Sequence, residues 1–537
     1  MTPDSVRPDP CIIFLILSVC GLLAGCVDQQ PPSGDTQPVA SRSANPIGAE
    51  DIERLKREDL PAVTAQMRED ATSRVMGACS RCHAPLPADT LPRAAWEKVV
   101  LSMADMVGDW GQPAATEEEL AIALYWYEQQ APLKLDYSRH LPEQKLQFET
   151  ISLTPRGLES ERIPAVSDLI SYQRADGQGR GIIVSELRSR RLMVLPHGDL
   201  KSARLIPFLP EVDFRYPAAL SSCEVDGSGD PEVLVASMGG MNPGNEVRGG
   251  AWLATSEKGR WSARSVGEKL ARVCDLKGSD LDGDGDVDLV ACAFGFRGPG
   301  RLVMLRAEGE NFETIELDAR DGFVAVVIED VDGDGDDDLI ALLSQQHEVL
   351  MQFTNDGSGN FSPRVLMNWP HAAWGSSGLE AVDLDGDGDR DLLVVNGDTL
   401  DDNTPKPIHG VRWLERVGDS FPTLHEILLL PGCERAAVGD LDGDGDLDVV
   451  GAAFMPQVDP ATWKQWDSLV WAENLGGAKE WQVRTLEVGN PIHSAVLLDD
   501  VDEDGVMDII LGNYVWLRSD GSPTKRSDYL TVLRGIR

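Results

Sequence analysis

The sequence predicts a multidomain chain in which a small all-α domain precedes a long all-β region. Three observations carry this expectation. Cys79-Ser80-Arg81-Cys82-His83 sits between stretches whose apolar residues have helical spacing. Further on, an acidic glycine-containing loop recurs seven times, with steps of 50, 56, 50, 53, 57 and 60 residues between equivalent Asp residues. The residues between the loops fall into short apolar runs of strand length. A chain of 537 residues has room for several domains, and a hydrophobic fraction of 42% can bury a sizeable core. The 48 Lys+Arg against 89 Asp+Glu leave a net charge of -41, which excludes general affinity for nucleic acid or an anionic membrane surface.

The first residues read as a targeting segment. Ile12 to Leu23 is an apolar run of signal-peptide length, short for a membrane span. It ends Leu23-Ala24-Gly25-Cys26, which resembles a bacterial lipobox, and that resemblance implies a lipidated Cys26 after removal of residues 1–25. Arg7 is accompanied by Asp4 and Asp9, a departure from the usual basic start. Residues 26–49 are rich in Pro, Gln and Ser without apolar periodicity and read as a flexible tether. The expectation is an exported protein, periplasmic or at the cell surface, held to a bacterial membrane by its N-terminal lipid.

The C-x-x-C-H motif reads as covalent haem attachment: the thiols of Cys79 and Cys82 bond the porphyrin and His83 ligates the iron. A zinc half-site or a redox C-x-x-C needs no His, and no second C-x-x-C completes a zinc site. Ile52, Leu55, Leu60, Val63, Met67 and Val75 predict amphipathic helix before the motif, interrupted at Pro61. Residues 93–107 predict a helix with Trp96, Val99, Val100 and Met103 on one face. Thr116-Glu117-Glu118-Glu119 is a capping box that opens a helix ending near Pro132. This order resembles small cytochromes c over about 58–132, within a domain set at 50–135. The resemblance implies a sixth iron ligand from Met103, with Met106 the alternative.

The five well-formed loops carry Asp280, Asp282, Asp284, Asp286 and Asp288; Asp330, Asp332, Asp334, Asp336 and Asp338; Asp383, Asp385, Asp387, Asp389 and Asp391; Asp440, Asp442, Asp444, Asp446 and Asp448; and Asp500, Asp502, Asp504 and Asp508. Two degenerate copies precede them, at Glu224–Glu232 and Arg174–Arg180. Side-chain oxygens at positions 1, 3, 5 and 9, with a carbonyl at position 7, suit the six to eight hard oxygens that calcium prefers. Position 6 is Gly in every copy, which predicts a positive φ that folds the ligands inward. Up to five calcium ions are expected, with the two degenerate loops empty or weak.

Each loop falls between two predicted strands, and about 54 residues per repeat make room for four. Around Asp330–Asp338 these are Phe323–Ile328, Leu339–Leu343, Glu348–Phe353 and Phe361–Leu366. The pattern resembles the FG-GAP/VCBS repeats of integrin-like β-propellers, which implies seven blades over residues 140–537. The last repeat is one strand short. Phe148-Glu149-Thr150-Ile151-Ser152-Leu153 nearly repeats Phe312–Leu317, so strand 146–153 is expected to complete the last blade and remove both open edges.

Three functions remain open. The first is anchored electron transfer by haem, with a propeller that binds a redox partner protein or extracellular ligand. The second is an oxidoreductase with substrate bound at the mouth opposite the loops, where Arg215, Tyr216, Arg272, Glu434, Arg435, His371, Trp374 and His493 are placed. The third is a calcium-dependent adhesion or scaffold protein. No nucleophile–base constellation is legible, and a propeller fold does not choose among these functions. Cys223, Cys274, Cys292 and Cys433 have no assigned pairing.

Overall fold

The computed structural model describes residues 56–536 apart from 82–83, 104–114, 138–140, 143–145, 157, 159–161, 174–179, 243, 258–259, 297, 346, 401 and 519–520. The targeting segment, Cys26, the tether, Cys82, His83, Met106 and most of the first degenerate loop lie outside the described residues. Among the described residues, no helix is long and apolar enough to cross a membrane.

The N-terminal part is helical. Helix α1 runs Ala65–Glu69 and α2 Ala71–Cys79, after Pro61 has kept the preceding residues out of a longer helix. Helix α3 runs Trp96–Ser102 and α4 Glu117–Gln130. The capping box forms as expected: the Thr116 hydroxyl accepts from the Glu119 amide, and the Glu119 carboxylate accepts from the Thr116 amide at 2.8 Å. Trp96 and Val100 of α3 are buried against Val75 of α2 and Leu120, Ile122 and Tyr127 of α4. The Trp96 and Tyr127 rings stack with centroids 3.6 Å apart. Each satisfies its polar atom on a carbonyl: the Trp96 indole on Leu91 at 3.2 Å and the Tyr127 hydroxyl on Leu86 at 3.0 Å.

The remainder is seven four-stranded antiparallel sheets. The four strands expected around Asp330–Asp338 are Phe323–Glu329, Asp338–Ser344, Glu348–Asn355 and Phe361–Asn368, and they make blade four. Their burial explains their composition. The second strand of every blade is buried throughout, because both of its faces meet neighbouring blades. The fourth strand stands at the rim and is mostly exposed in blade four, where Ser-Pro-Arg-Val occupies its middle. Closure is as expected. Gln147–Leu153 pairs antiparallel with Leu530–Ile536, with Phe148 opposite Gly535 and Ile151 opposite Val532, and becomes the fourth strand of blade seven.

One regularity is absent from any local pattern. The first strand of each blade shifts register two residues after its start, at Val166/Asp168, Pro217/Ala219, Val273/Asp275, Phe323/Ala325, Ser376/Gly378, Cys433/Arg435 and His493/Ala495. Each bulge adds local twist near the axis, where the strands crowd. Side chains beside the bulges tie neighbouring blades together. The Asp168 carboxylate accepts from the Leu220 amide at 2.8 Å, and Asp275 accepts from Val326 at 3.0 Å. Ser494 donates to the Val166 carbonyl at 2.6 Å, across the junction where the ring closes.

Candidate functional site

The acidic loops share one geometry. In blade three the Asp280 carboxylate accepts from the amides of Gly283 at 2.9 Å and Gly285 at 3.0 Å, curling the loop around position 1. Asp330, Asp383 and Asp440 do the same in blades four, five and six. The position-6 glycines 285, 335, 388 and 445 have φ between 94° and 101°, the left-handed region expected there. Ligand atoms of Asp280, Asp282 and Asp284 lie within 4.8 Å of one another, as do those of Asp330, Asp332 and Asp334, of Asp383, Asp385 and Asp387, and of Asp440, Asp442 and Asp448. The degenerate copy of blade two still gathers Glu224, Asp226 and Glu232.

The position-9 carboxylate has a second task that spacing does not reveal. Asp288 is buried and accepts from the Leu281 amide at 3.3 Å and from Ala307 on the third strand at 2.7 Å. Asp448 and Asp508 repeat this with Leu441 and Asn474, and with Val501 and Gly535. Burial, reinforced by neighbouring loop carboxylates, pushes Asp288 and Asp508 up to about 6 and Asp448 up to about 7. A divalent cation would offset this repulsion. Among the described residues, no ion pair brings a Lys or Arg to the carboxylates at positions 1, 3, 5 and 9 in blades three to six. An all-oxygen set of this kind is the chemistry that calcium takes.

In the helical part, Cys79 closes α2 as a half-buried thiol beside the Tyr127 hydroxyl. Met103 caps α3 and is half-buried against the same core as Cys79. Two thiols, an imidazole and a thioether form a donor set that suits covalently held haem. Cys223, Cys274, Cys292 and Cys433 are all free thiols.

Three of the residues expected at the mouth are buried. His493 is fully buried, its ring held by Glu487 at 2.7 Å and Asn513 at 2.9 Å. His371 and Trp374 are buried as well, with Trp374 stacked on Trp369 and covered by the Arg412 guanidinium 4.5 Å from its ring centroid. Burial pushes His371 down to about 4, so it is neutral near pH 7. His493 is buried as the first residue of its strand, paired with Asn513, and His371 and Trp374 are buried in the loop before blade five. The helical part adds to the cover: Ala373 packs against its core. Arg215 remains exposed. Tyr216 is half-buried and faces Arg190, with 5.8 Å from guanidinium to ring centroid. Arg272 is half-buried and donates to the Asn242 carbonyl at 2.5 Å. Arg435 donates to the Ser377 carbonyl at 2.6 Å and lies 3.6 Å from Glu434, which pairs it with the adjacent blade.

Sequence reasoning missed Glu348, at the start of the third strand of blade four. Its buried carboxyl meets the Ser344 hydroxyl at 3.0 Å, the Gly375 amide at 3.2 Å and the Ser376 amide at 3.3 Å. Burial outweighs these bonds and pushes it from 4.5 up to about 8. The folded state therefore holds an extra proton between those values, and stability falls as pH rises through that window. Between pH 6 and 9 this group should cost about 3 kcal/mol. Glu348→Gln should remove that slope in denaturant melts at the two pH values. An identical slope in the variant would place its source elsewhere.

Together these features define a seven-bladed β-propeller with acidic loops between the first two strands of its blades. Residues 280–341 and 330–394 match the family model of the FG-GAP-like repeat, so blades three and four and the start of blade five carry repeats of that family. No curated protein matches the chain.

Proposed function

We propose that the chain is an exported, lipid-anchored electron-transfer protein. In this reading the helical part holds one c-type haem, and the calcium-stabilised propeller binds a redox partner protein or an extracellular ligand. The observation that carries it is the C-x-x-C-H motif, whose first thiol closes α2 on the same small core that Met103 borders. Bound haem supplies a one-electron couple. Cys79 and Cys82 would hold it covalently and His83 and Met103 would supply ligands to its iron, while the Trp96–Tyr127 stack fills the core that Cys79 and Met103 border. For the propeller, the FG-GAP repeats favour binding of a ligand or partner. Of the eight mouth residues, His371, Trp374 and His493 are buried.

The test is the absorbance spectrum of protein purified from an exporting bacterial host that matures c-type cytochromes. A reducible, covalently bound haem is expected, and protein free of iron and haem under those conditions would end this reading. Cys82→Ala should abolish normal covalent attachment. Met103→Ala should keep the haem attached but lower its reduction potential, because a thioether ligand favours ferrous iron. A Met103 variant with an unchanged spectrum and potential would transfer the sixth position to Met106.

A further inference from the structure

The loop of blade seven differs from the other four well-formed loops in what fills it. The guanidinium of Arg534 reaches into it: Nε pairs with Asp502, and NH2 donates to Asp504 at 2.7 Å. These are positions 3 and 5; their ligand atoms gather with position 1 in blades three to five, and position 3 gathers with positions 1 and 9 in blade six. Arg534 comes from the last strand, and its NH1 also lies 3.7 Å from Glu149 on the closing strand. The loop departs elsewhere too. Position 4 is Glu503 with φ 59°, where the other four have Gly, and position 7 is Val506 rather than Asp. Glu503 in turn faces Arg180 of blade one at 3.5 Å.

The strand register shows that this is particular to blade seven. Ile509 pairs with Leu533, so Arg534 stands opposite position 9. The same register puts Arg306 there in blade three, Thr354 in blade four, Glu415 in blade five and Glu473 in blade six. Arg306 turns away from its loop to Glu313 and Glu308. Glu415 and Glu473 instead add negative charge beside Asp385 and Asp442. One position therefore changes the local charge by two units between blades five and six and blade seven.

We infer that Arg534 is a built-in counter-cation that takes the metal's place in blade seven, so that the blade closing the ring is held without calcium while blades three to six depend on it. A guanidinium is permanently charged, and its planar fork can bridge two carboxylates at once. Its presence at Asp502 and Asp504 sets a like charge against any divalent cation entering the loop. Because the same side chain reaches Glu149, the link also joins the closing strand to the loop.

The inference rests on the calcium reading of the other loops, and the test separates the two. Calcium is titrated into chelator-stripped full-length protein by calorimetry, with bound metal counted by elemental analysis. Arg534→Gln should bind one more ion per chain than wild type, and Arg306→Gln should bind the same number as wild type. Asp502→Asn in the wild-type background should leave the count unchanged. An Arg534→Gln count equal to wild type, or a wild-type count that falls by one in Asp502→Asn, would overturn the inference. No calcium bound by any variant would instead overturn the calcium reading itself. A second readout is amide exchange. Adding chelator should speed exchange in the loops of blades three to six and leave Gln147–Leu153 and the loop of blade seven unchanged. Equal acceleration in blade seven would also overturn the inference.

Discussion

Removing residues 145–154 is expected to turn soluble protein into aggregate. Without that segment, Leu530–Ile536 loses its partner along seven paired positions, from Gln147 opposite Ile536 to Leu153 opposite Leu530. The exposed edge would present unpaired amides and carbonyls beside Leu530 and Val532, which are buried in the intact ring. Burial is lost as well: Leu153 and Ile151 pack on the core shared with blade one, and Phe148 packs on the core shared with blade six. Each such side chain contributes about 1.5–3 kcal/mol when fully buried, and the two half-buried ones somewhat less. Size-exclusion chromatography reads the outcome. Deletion of residues 27–49 is the control and should leave the elution and the melt unchanged, because that stretch has no apolar periodicity. A soluble monomer lacking 145–154 would show that another segment can close the ring.

Chelation should lower the melting temperature of the propeller by a large amount. A ligand that binds only the folded state stabilises it by about 2.7 kcal/mol when present at a hundredfold its Kd, and the several acidic loops of the ring would add such contributions. The loops are suited to this coupling. Position 1 curls the loop through its glycine amides, and position 9 ties it to the third strand, so metal bound between them would brace three strands of one blade. Without the ion, the carboxylates of each cluster repel at neutral pH. Differential scanning calorimetry with and without chelator measures the effect. An unchanged melt, with no metal found by elemental analysis, would remove calcium from the account.

Much of the fold was legible because it repeats. A nine-residue acidic loop with Gly at position 6 needs no distant residue to be recognised, and its steps of 50 to 60 residues leave room for four strands. The closing strand was legible for the same reason, since Phe148–Leu153 resembles Phe312–Leu317 in the fourth strand of blade three. The mouth residues were the least legible. Placing a residue before a first strand fixes the end of the propeller at which it lies, but not whether its loop stands in solvent or folds down. His493 is buried by contacts from Glu487 and Asn513, and the loop of His371 lies against the helical part.

The sequence by itself determined the blade count, the acidic loops, the strand that closes the ring and the helical part with its C-x-x-C-H motif. These depend on short-range periodicity and on local turn chemistry, which each segment carries within itself. Only the tertiary structure decided which charges meet. Arg534 lies 32 residues from Asp502 and 385 from Glu149, yet it reaches both. Glu348 acquires its raised pKa from the closed packing around it, and Arg306 and Arg534 take opposite courses from the same register. Electrostatic partners are chosen by through-space distance and burial once the chain has closed on itself, and a local residue pattern encodes neither.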